Sequence, residues 1–225
     1  MHFLRSGVLV GLLIGGLQTA LGGQPKPRPS LQAGSQGSRS SPLPQRKEFF
    51  HFKGRGPDQP LTPGAVHVYL FDLEPGDFLD IQVEQKDLDV AASVLGPGQR
   101  FLFRVDRLNG AWGSEQIPLL AEGGGTYTVE VKVVGKGRGT YQIRIQPGRE
   151  ATARDRQNYL GALAYWRGEK LAEGKGADRL LAEGKFEEAQ RAWTESGYLM
   201  GQADASFQLG QLRGKRRAWS ESIVP

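Results

Sequence analysis

Leu73-Glu-Pro-Gly-Asp-Phe-Leu-Asp-Ile-Gln-Val-Glu-Gln-Lys-Asp-Leu-Asp-Val90 decides the fold. The turn Glu74-Pro75-Gly76-Asp77 launches a segment in which Leu79, Ile81 and Val83 share one face while Asp80, Gln82 and Glu84 share the other. That period of two marks a half-buried strand. The same grammar recurs as far as Ile145. It predicts strands near 48–53, 65–73, 77–85, 88–95, 100–106, 117–121, 126–134 and 140–145, with loops over 57–64 and 108–115. In the second of these strands Val66, Val68 and Leu70 share a face. About eight short strands, punctuated every 8 to 12 residues or so by turn residues, predict an all-β sandwich of jelly-roll type over 49–146.

Composition agrees and narrows the function. The 225 residues include 32 Gly and 13 Pro, a turn-rich balance, and no Cys. Disulfides, thiolate metal sites, cysteine nucleophiles and a lipid-modified cysteine are therefore excluded. The formal charge of +5 is unevenly spread: +5 over 1–48, −2 over 49–146 and +2 over 147–225. The basic excess sits ahead of the sandwich, so no folded nucleic-acid face is indicated.

Residues 1–22 read as a signal peptide. Arg5 precedes the apolar run Gly7-Val-Leu-Val-Gly-Leu-Leu-Ile-Gly-Gly-Leu17, and Ala20-Leu21-Gly22 places small residues for cleavage after Gly22. The run is shorter than the roughly 20 residues of a membrane span. An uncleaved N-terminal anchor is the alternative. Residues 23–48 form a Pro/Ser/Gly-rich linker with almost no apolar content, too little to offset its own ordering entropy. It is read as a spacer, or as a basic tract meeting an anionic surface polymer.

From Pro147 the grammar is helical. Thr152 is a candidate N-cap with Asp155 three residues on. Tyr159, Leu160, Leu163, Tyr165, Trp166 and Leu171 recur at helical spacing up to Gly174-Lys-Gly176. A second helix is expected from about 178 to 182, a turn at Gly184, and then a helix in which Phe186, Ala189 and Trp193 share one face. Residues 203–210 suggest another helix, and 212–219 a weak one carrying Arg213, Lys215, Arg216 and Arg217.

The ordered set Pro75-Gly76-Asp77, Gln85, Asp89-Val90, Pro97-x-Gln99, Asp106, Asn109-Gly110, Gly113, Glu115, Gly125-Thr-Tyr127 and Gly139-Thr-Tyr141 resembles the bacterial pre-peptidase C-terminal (PPC-like) β-sandwich. The match covers roughly 60–146 and runs on through Arg149-Glu-Ala-Thr-Ala-Arg-Asp-Arg156. It is nearest to the version that precedes tetratricopeptide repeats in large proteins ending in a caspase-like (CHAT) peptidase domain. Gly184, Phe186, Ala189 and Trp193 resemble the turn and second helix of such a repeat. The segment 147–225 then reads as a truncated array. The family's terminal proline after Trp193 is absent.

Asp87, Asp89, Asp106, Asn109 and Glu115 offer oxygens that a calcium ion could use. They are equally ordinary turn formers, and their spacing is not that of an EF-hand. Tyr127 and Tyr141 should pack their rings on the core while each hydroxyl reaches water or a backbone carbonyl. His2 lies in the leader; His51 and His67 lie on strands. No Gly-x-Ser-x-Gly elbow and no His-Glu-x-x-His helix occurs, and Gly135-Lys-Gly-Arg-Gly-Thr140 lacks the ending of a phosphate loop, so it reads as a hairpin.

The sequence thus indicates a secreted or periplasmic protein that is not an enzyme, with no catalytic residues, metal ligands or cofactor assigned. It acts as a binding or scaffold module toward a protein partner, through the helical segment, or toward a surface polymer. It has no integral membrane domain once the signal is cleaved. The alternative is a regulatory or truncated N-terminal part of a caspase-like peptidase.

Overall fold

The computed structural model describes residues 46–50 and 54–223. The expected leader, most of the linker, His2 and His51 lie outside the described residues. Ten strands occur among the described residues: β1 (Arg46–Phe50), β2 (Gly54–Leu61), β3 (Ala65–Leu73), β4 (Asp77–Lys86), β5 (Val90–Gly96), β6 (Arg100–Val105), β7 (Trp112–Leu120), β8 (Gly125–Val133), β9 (Gly139–Ile145) and the two-residue β10 (Arg149–Glu150). One sheet runs β1-β3-β8-β5-β6. The other has β4 between β7 and β9, with β2 beyond β9 and β10 on the start of β4. All pairings are antiparallel except β1 with β3.

The chain is therefore an all-β sandwich followed by a short helical tail. Between the sheets Ile81, Val83, Ile117, Leu119, Val129, Val131, Ile143 and Phe103 are fully buried, so the alternation seen in 79–83 sets the core face of β4. In β3 the core face is the one carrying Tyr69, Phe71 and Leu73; Val66 and Val68 are buried on the opposite face.

Two expected loops are strands. The segment taken as loop over 57–64 is mostly β2, which carries Pro57 and Pro60. Proline lacks a donor, so it reads as a strand breaker, but β2 is an edge strand with a register shift between Arg55 and Asp58. The loop over 108–115 ends early, because β7 starts at Trp112 and pairs with β4 through Lys86↔Trp112 and Val83↔Glu115. The first strand also starts earlier than expected, at Arg46 inside the presumed linker. Gly139 lets β9 pass close to the β4–β5 turn: a Cβ there would lie 2.7 Å from the Asp87 carbonyl carbon.

Three helices follow: α1 (Ala153–Ala172), α2 (Ala177–Ser196) and α3 (Leu199–Ile223). Thr152 caps α1 as expected. Its hydroxyl accepts from the Asp155 N–H at 3.2 Å, and Asp155 Oδ2 accepts from the Thr152 N–H at 2.8 Å. The Arg149 guanidinium holds the Asp155 carboxyl down to about 2, helped by Thr152. Gly184 does not make a turn. It lies inside α2, and the turn falls at Gly174–Gly176, where Gly176 has φ 55°. Glycine is a poor helix former, which is why position 184 suggested a break. Residues 212–219 likewise continue α3 instead of forming a separate helix.

The helices form their own aromatic seam. Trp193 and Phe186 lie on Gly161 and Gly168 of α1, where an added Cβ would come within 2.5 Å of Trp193 Nε1 and 2.8 Å of Phe186 Cε1. Tyr165 meets Phe186 at 5.3 Å and Trp193 at 5.4 Å between ring centres. The helical unit packs on the sandwich through α1, which lies along β6 and β7, the outer strands of the two sheets. A covering helix protects strand edges that would otherwise seek partners. Phe103 of β6 meets Tyr159 of α1 edge-on at 5.9 Å, and Phe101 meets Trp166 at 5.1 Å.

Candidate functional site

Of the oxygen-rich residues singled out in the sequence, Glu115 and Asn109 are joined through Gln85 and Asp106 is paired with Arg104. Glu115 belongs to β7, where the strand alternation puts it on the core face with Ile117 and Leu119, and it is fully buried. Its Oε1 accepts from Gln85 Nε2 at 3.2 Å and its Oε2 from the Arg107 N–H at 3.0 Å. Gln85 Nε2 also reaches Asn109 Oδ1 at 3.1 Å, while Gln85 Oε1 accepts from the Val90 N–H at 2.6 Å. Gln85 thus ties the β4–β5 turn to the β6–β7 loop. Asp106 pairs instead with Arg104 at 2.6 Å, and Asp87 sits in a left-handed turn at φ 56°. The oxygens of Glu115 and Asn109 already face N–H donors, which oppose a cation at the same place. Among the described residues no group of three or more His, Asp or Glu is placed to hold a metal ion.

Burial is the dominant electrostatic fact here. Desolvation pushes the Glu115 carboxyl up to about 8, against the Arg107 N–H bond and charge, which pull it down. Asp89 and Asp106 are raised by the same cause, with Arg104 opposing.

Arg107 is the functional-grade residue that sequence reasoning passed over. It is 9% exposed. Its backbone N–H serves Glu115 in the sandwich, and its guanidinium crosses to the α2–α3 connection and to α3. There it donates to the Tyr198 hydroxyl, pairs with Asp204, and lies 5.2 Å from the Tyr198 ring centre. An Arg between Asp106 and Asn109 in a turn carries no sequence signal of burial. Beside it lies a cavity of about 20 Å³, lined among others by Arg104, Asp106, Asn158, Tyr165 and Asp204. That is room for about one water molecule.

The other residues noted in the sequence are placed as follows. His67 is buried, with Nδ1 2.7 Å from the Tyr141 hydroxyl, which in turn bonds the Tyr69 hydroxyl at 2.6 Å. Tyr141 therefore bridges the sheets through side-chain bonds to His67 and Tyr69. Tyr127 does donate to the Gly123 carbonyl at 2.9 Å. Gly135–Gly139 is not the expected hairpin: β8 and β9 do not pair, and the segment carries the chain from one sheet to the other. Arg213 turns toward Glu187 at 2.5 Å and Glu183 at 3.5 Å on α2.

The outward side of α3 has a different character. Phe207 is 53% exposed, and Gly210 and Gly214 have open space where a side chain would go. With Gln211 and Lys215 they line a shallow open groove of about 520 Å³. Met200 and Leu199 are exposed nearer the start of the helix.

These features define a β-sandwich carrying a three-helix unit, with Phe207 exposed on α3 beside Gly210 and Gly214. No family model and no curated protein matches the sequence. Among solved structures, it is similar to the pre-peptidase C-terminal domain of a collagenase from Bacillus anthracis, at 18% identity over 46% of this chain and 98% of that one, with a TM-score of 0.37. It is also similar to PliG of Aeromonas hydrophila, a periplasmic inhibitor of g-type lysozyme, at 16% identity over 45% of this chain and 96% of that one, with a TM-score of 0.32. The PliG of Salmonella Typhimurium gives 16% identity, 46% and 98% coverage and a TM-score of 0.32. Among the described residues no helix is long and apolar enough to cross a membrane.

Proposed function

We propose that the protein is an exported, non-catalytic binding module that docks a partner helix on the outward face of α3. The observation that carries this reading is the exposed Phe207 beside the open Gly210 and Gly214. Inside the helical unit, glycines at helix–helix contacts receive aromatic rings: Gly161 and Gly168 receive Trp193 and Phe186. The α3 face repeats that surface chemistry without an occupant from the described residues, and a helix-in-groove partner reads such a face through anchors three to four residues apart. The Leu-Gly-x-Leu run of α1, Leu160 to Leu163, recurs in α3 as Leu209 to Leu212, which supports a stacking role for both.

The test is the size of the protein in its own host. Wild type should elute in an assembly larger than the monomer. Phe207→Glu, at an exposed site, should keep its helical signal and elute at monomer size. Equal elution of the two would remove α3 as the docking face. Export rests on the reading of 1–22. N-terminal sequencing of protein from the periplasm or culture fluid should begin near Gly23, and an intact Met1 in the cytoplasm would overturn it. The alternative, a regulatory or N-terminal part of a repeat-bearing caspase-like peptidase, rests on the sequence resemblance alone.

A further inference from the structure

The cavity beside Arg107 lies where three parts of the chain meet. The sandwich supplies Arg104, Asp106 and Arg107, α1 supplies Asn158 and Tyr165, and α3 supplies Asp204. Two side-chain atoms of this lining are enclosed and make no hydrogen bond among the described residues. One is an acceptor, Asn158 Oδ1, and the other a donor, Arg107 Nη2. Asp204 pairs with Arg107 Nη2 and so answers its charge, but it does not complete a hydrogen bond. Buried polar atoms nearly always have a hydrogen-bond partner, so two orphans on one cavity call for an explanation.

We propose that the cavity is a site for one tightly held water molecule, which accepts a hydrogen bond from Arg107 Nη2, donates one to Asn158 Oδ1, and so fastens α1 to the sandwich. Volume selects the occupant first: about 20 Å³ admits one water and nothing larger. Charge selects it next. The two arginines and two aspartates of the lining are paired with each other, Arg104 with Asp106 at 2.6 Å and Arg107 with Asp204, so an ion of either sign gains little there. Hydrogen-bonding chemistry selects it last. A donor and an acceptor that do not bond each other need a ligand that both takes and gives a hydrogen bond, as water does. The second water proton has the carboxylates of Asp106 and Asp204 in the same lining. That makes about three polar partners, the usual number for an enclosed water.

The consequence is positional. Phe103 on Tyr159 and Phe101 on Trp166 hold α1 against β6 through rings. Ring contacts tolerate sliding, whereas hydrogen bonds are directional. A water bonded to Asn158 of α1 and to Arg107 of the sandwich therefore fixes where α1 sits, and Asn158 acts as a positioning residue. The remaining groups around it are already engaged: Arg107 Nη1 donates to the Tyr198 hydroxyl, and the Asn158 carbonyl accepts from Trp193 Nε1 at 3.3 Å.

Oxygen-17 magnetic relaxation dispersion of the full chain counts the waters it holds for longer than bulk exchange. Wild type should hold one more than Asn158→Leu, whose side chain removes the acceptor and fills the space. Asn158→Asp keeps an acceptor at that position and should retain the wild-type count. A crystal structure of the full chain should show the water within hydrogen-bond distance of both Asn158 Oδ1 and Arg107 Nη2, and it decides alone if Asn158→Leu does not fold. Equal dispersion in wild type and a folded Asn158→Leu overturns the proposal. So does an ion in the cavity, or a direct hydrogen bond from Arg107 to Asn158 that closes it.

Discussion

Trp193→Ala is expected to unfold the helical unit and leave the sandwich standing. Trp193 is 4% exposed and lies against Tyr165 of α1, against Tyr198 at 5.8 Å between ring centres, and over Gly161. Its indole N–H donates to the Asn158 carbonyl at 3.3 Å. Truncation removes this packing and leaves a hole bordered by glycine, which has no side chain to relax into it. Deleting a buried aromatic costs about 3–5 kcal/mol, comparable to the whole stability of a small helical unit. The core between the sheets is built on Ile81, Ile117 and Val129, which come from β4, β7 and β8 and not from the helices. Paired measurements decide the matter: helical circular dichroism should collapse, while hydrogen exchange of residues 77–145 stays slow. Unchanged helicity would mean that the ring is dispensable and that the seam is held elsewhere.

The spacing of Phe186, Ala189 and Trp193 was legible because a helix repeats every three to four residues, and these positions needed only that rule. The sandwich was legible for the same kind of reason. Alternation in 79–83 is a local signal, and β4 is central enough to bury one face fully while the other stays half-buried. The missed strands are those in which local chemistry and tertiary context disagree. In β2, prolines argue against a strand that an edge position tolerates. In β7, Trp112-Gly-Ser-Glu reads as loop, and only pairing with β4 draws it into a sheet. That second miss carried Glu115 with it, from a supposed loop ligand to a core-facing carboxyl. Gly184 is the reverse case, a weak local signal overruled by a helix whose Ala182, Phe186 and Ala189 are all buried.

The seam between sandwich and helices lay beyond what the sequence could reveal. Arg107 and Asp204 are 97 residues apart, and neither stands in a periodic pattern that marks burial. Their side chains are only 8% and 17% exposed, however, and they form an ion pair backed by the Tyr198 hydroxyl and ring. Such a pair adds little net stability compared with apolar residues of the same shape, but losing one partner strands the other. Arg107→Ala is therefore expected to cost about 3–5 kcal/mol, because Asp204 stays in the seam without its cation. The Glu115 bond should survive, since it uses the backbone N–H of residue 107 and not its side chain. The damage should thus fall on docking of the helices more than on the sandwich. Pairing Arg107→Met with Asp204→Leu separates the explanations: with no charge left to strand, most of the loss should be recovered. Denaturant unfolding followed by the helical signal gives both numbers. A cost below about 1 kcal/mol for Arg107→Ala, the range of exposed pairs, would show that water reaches the seam and that the two parts are joined by the aromatic contacts of Phe101 and Phe103 alone.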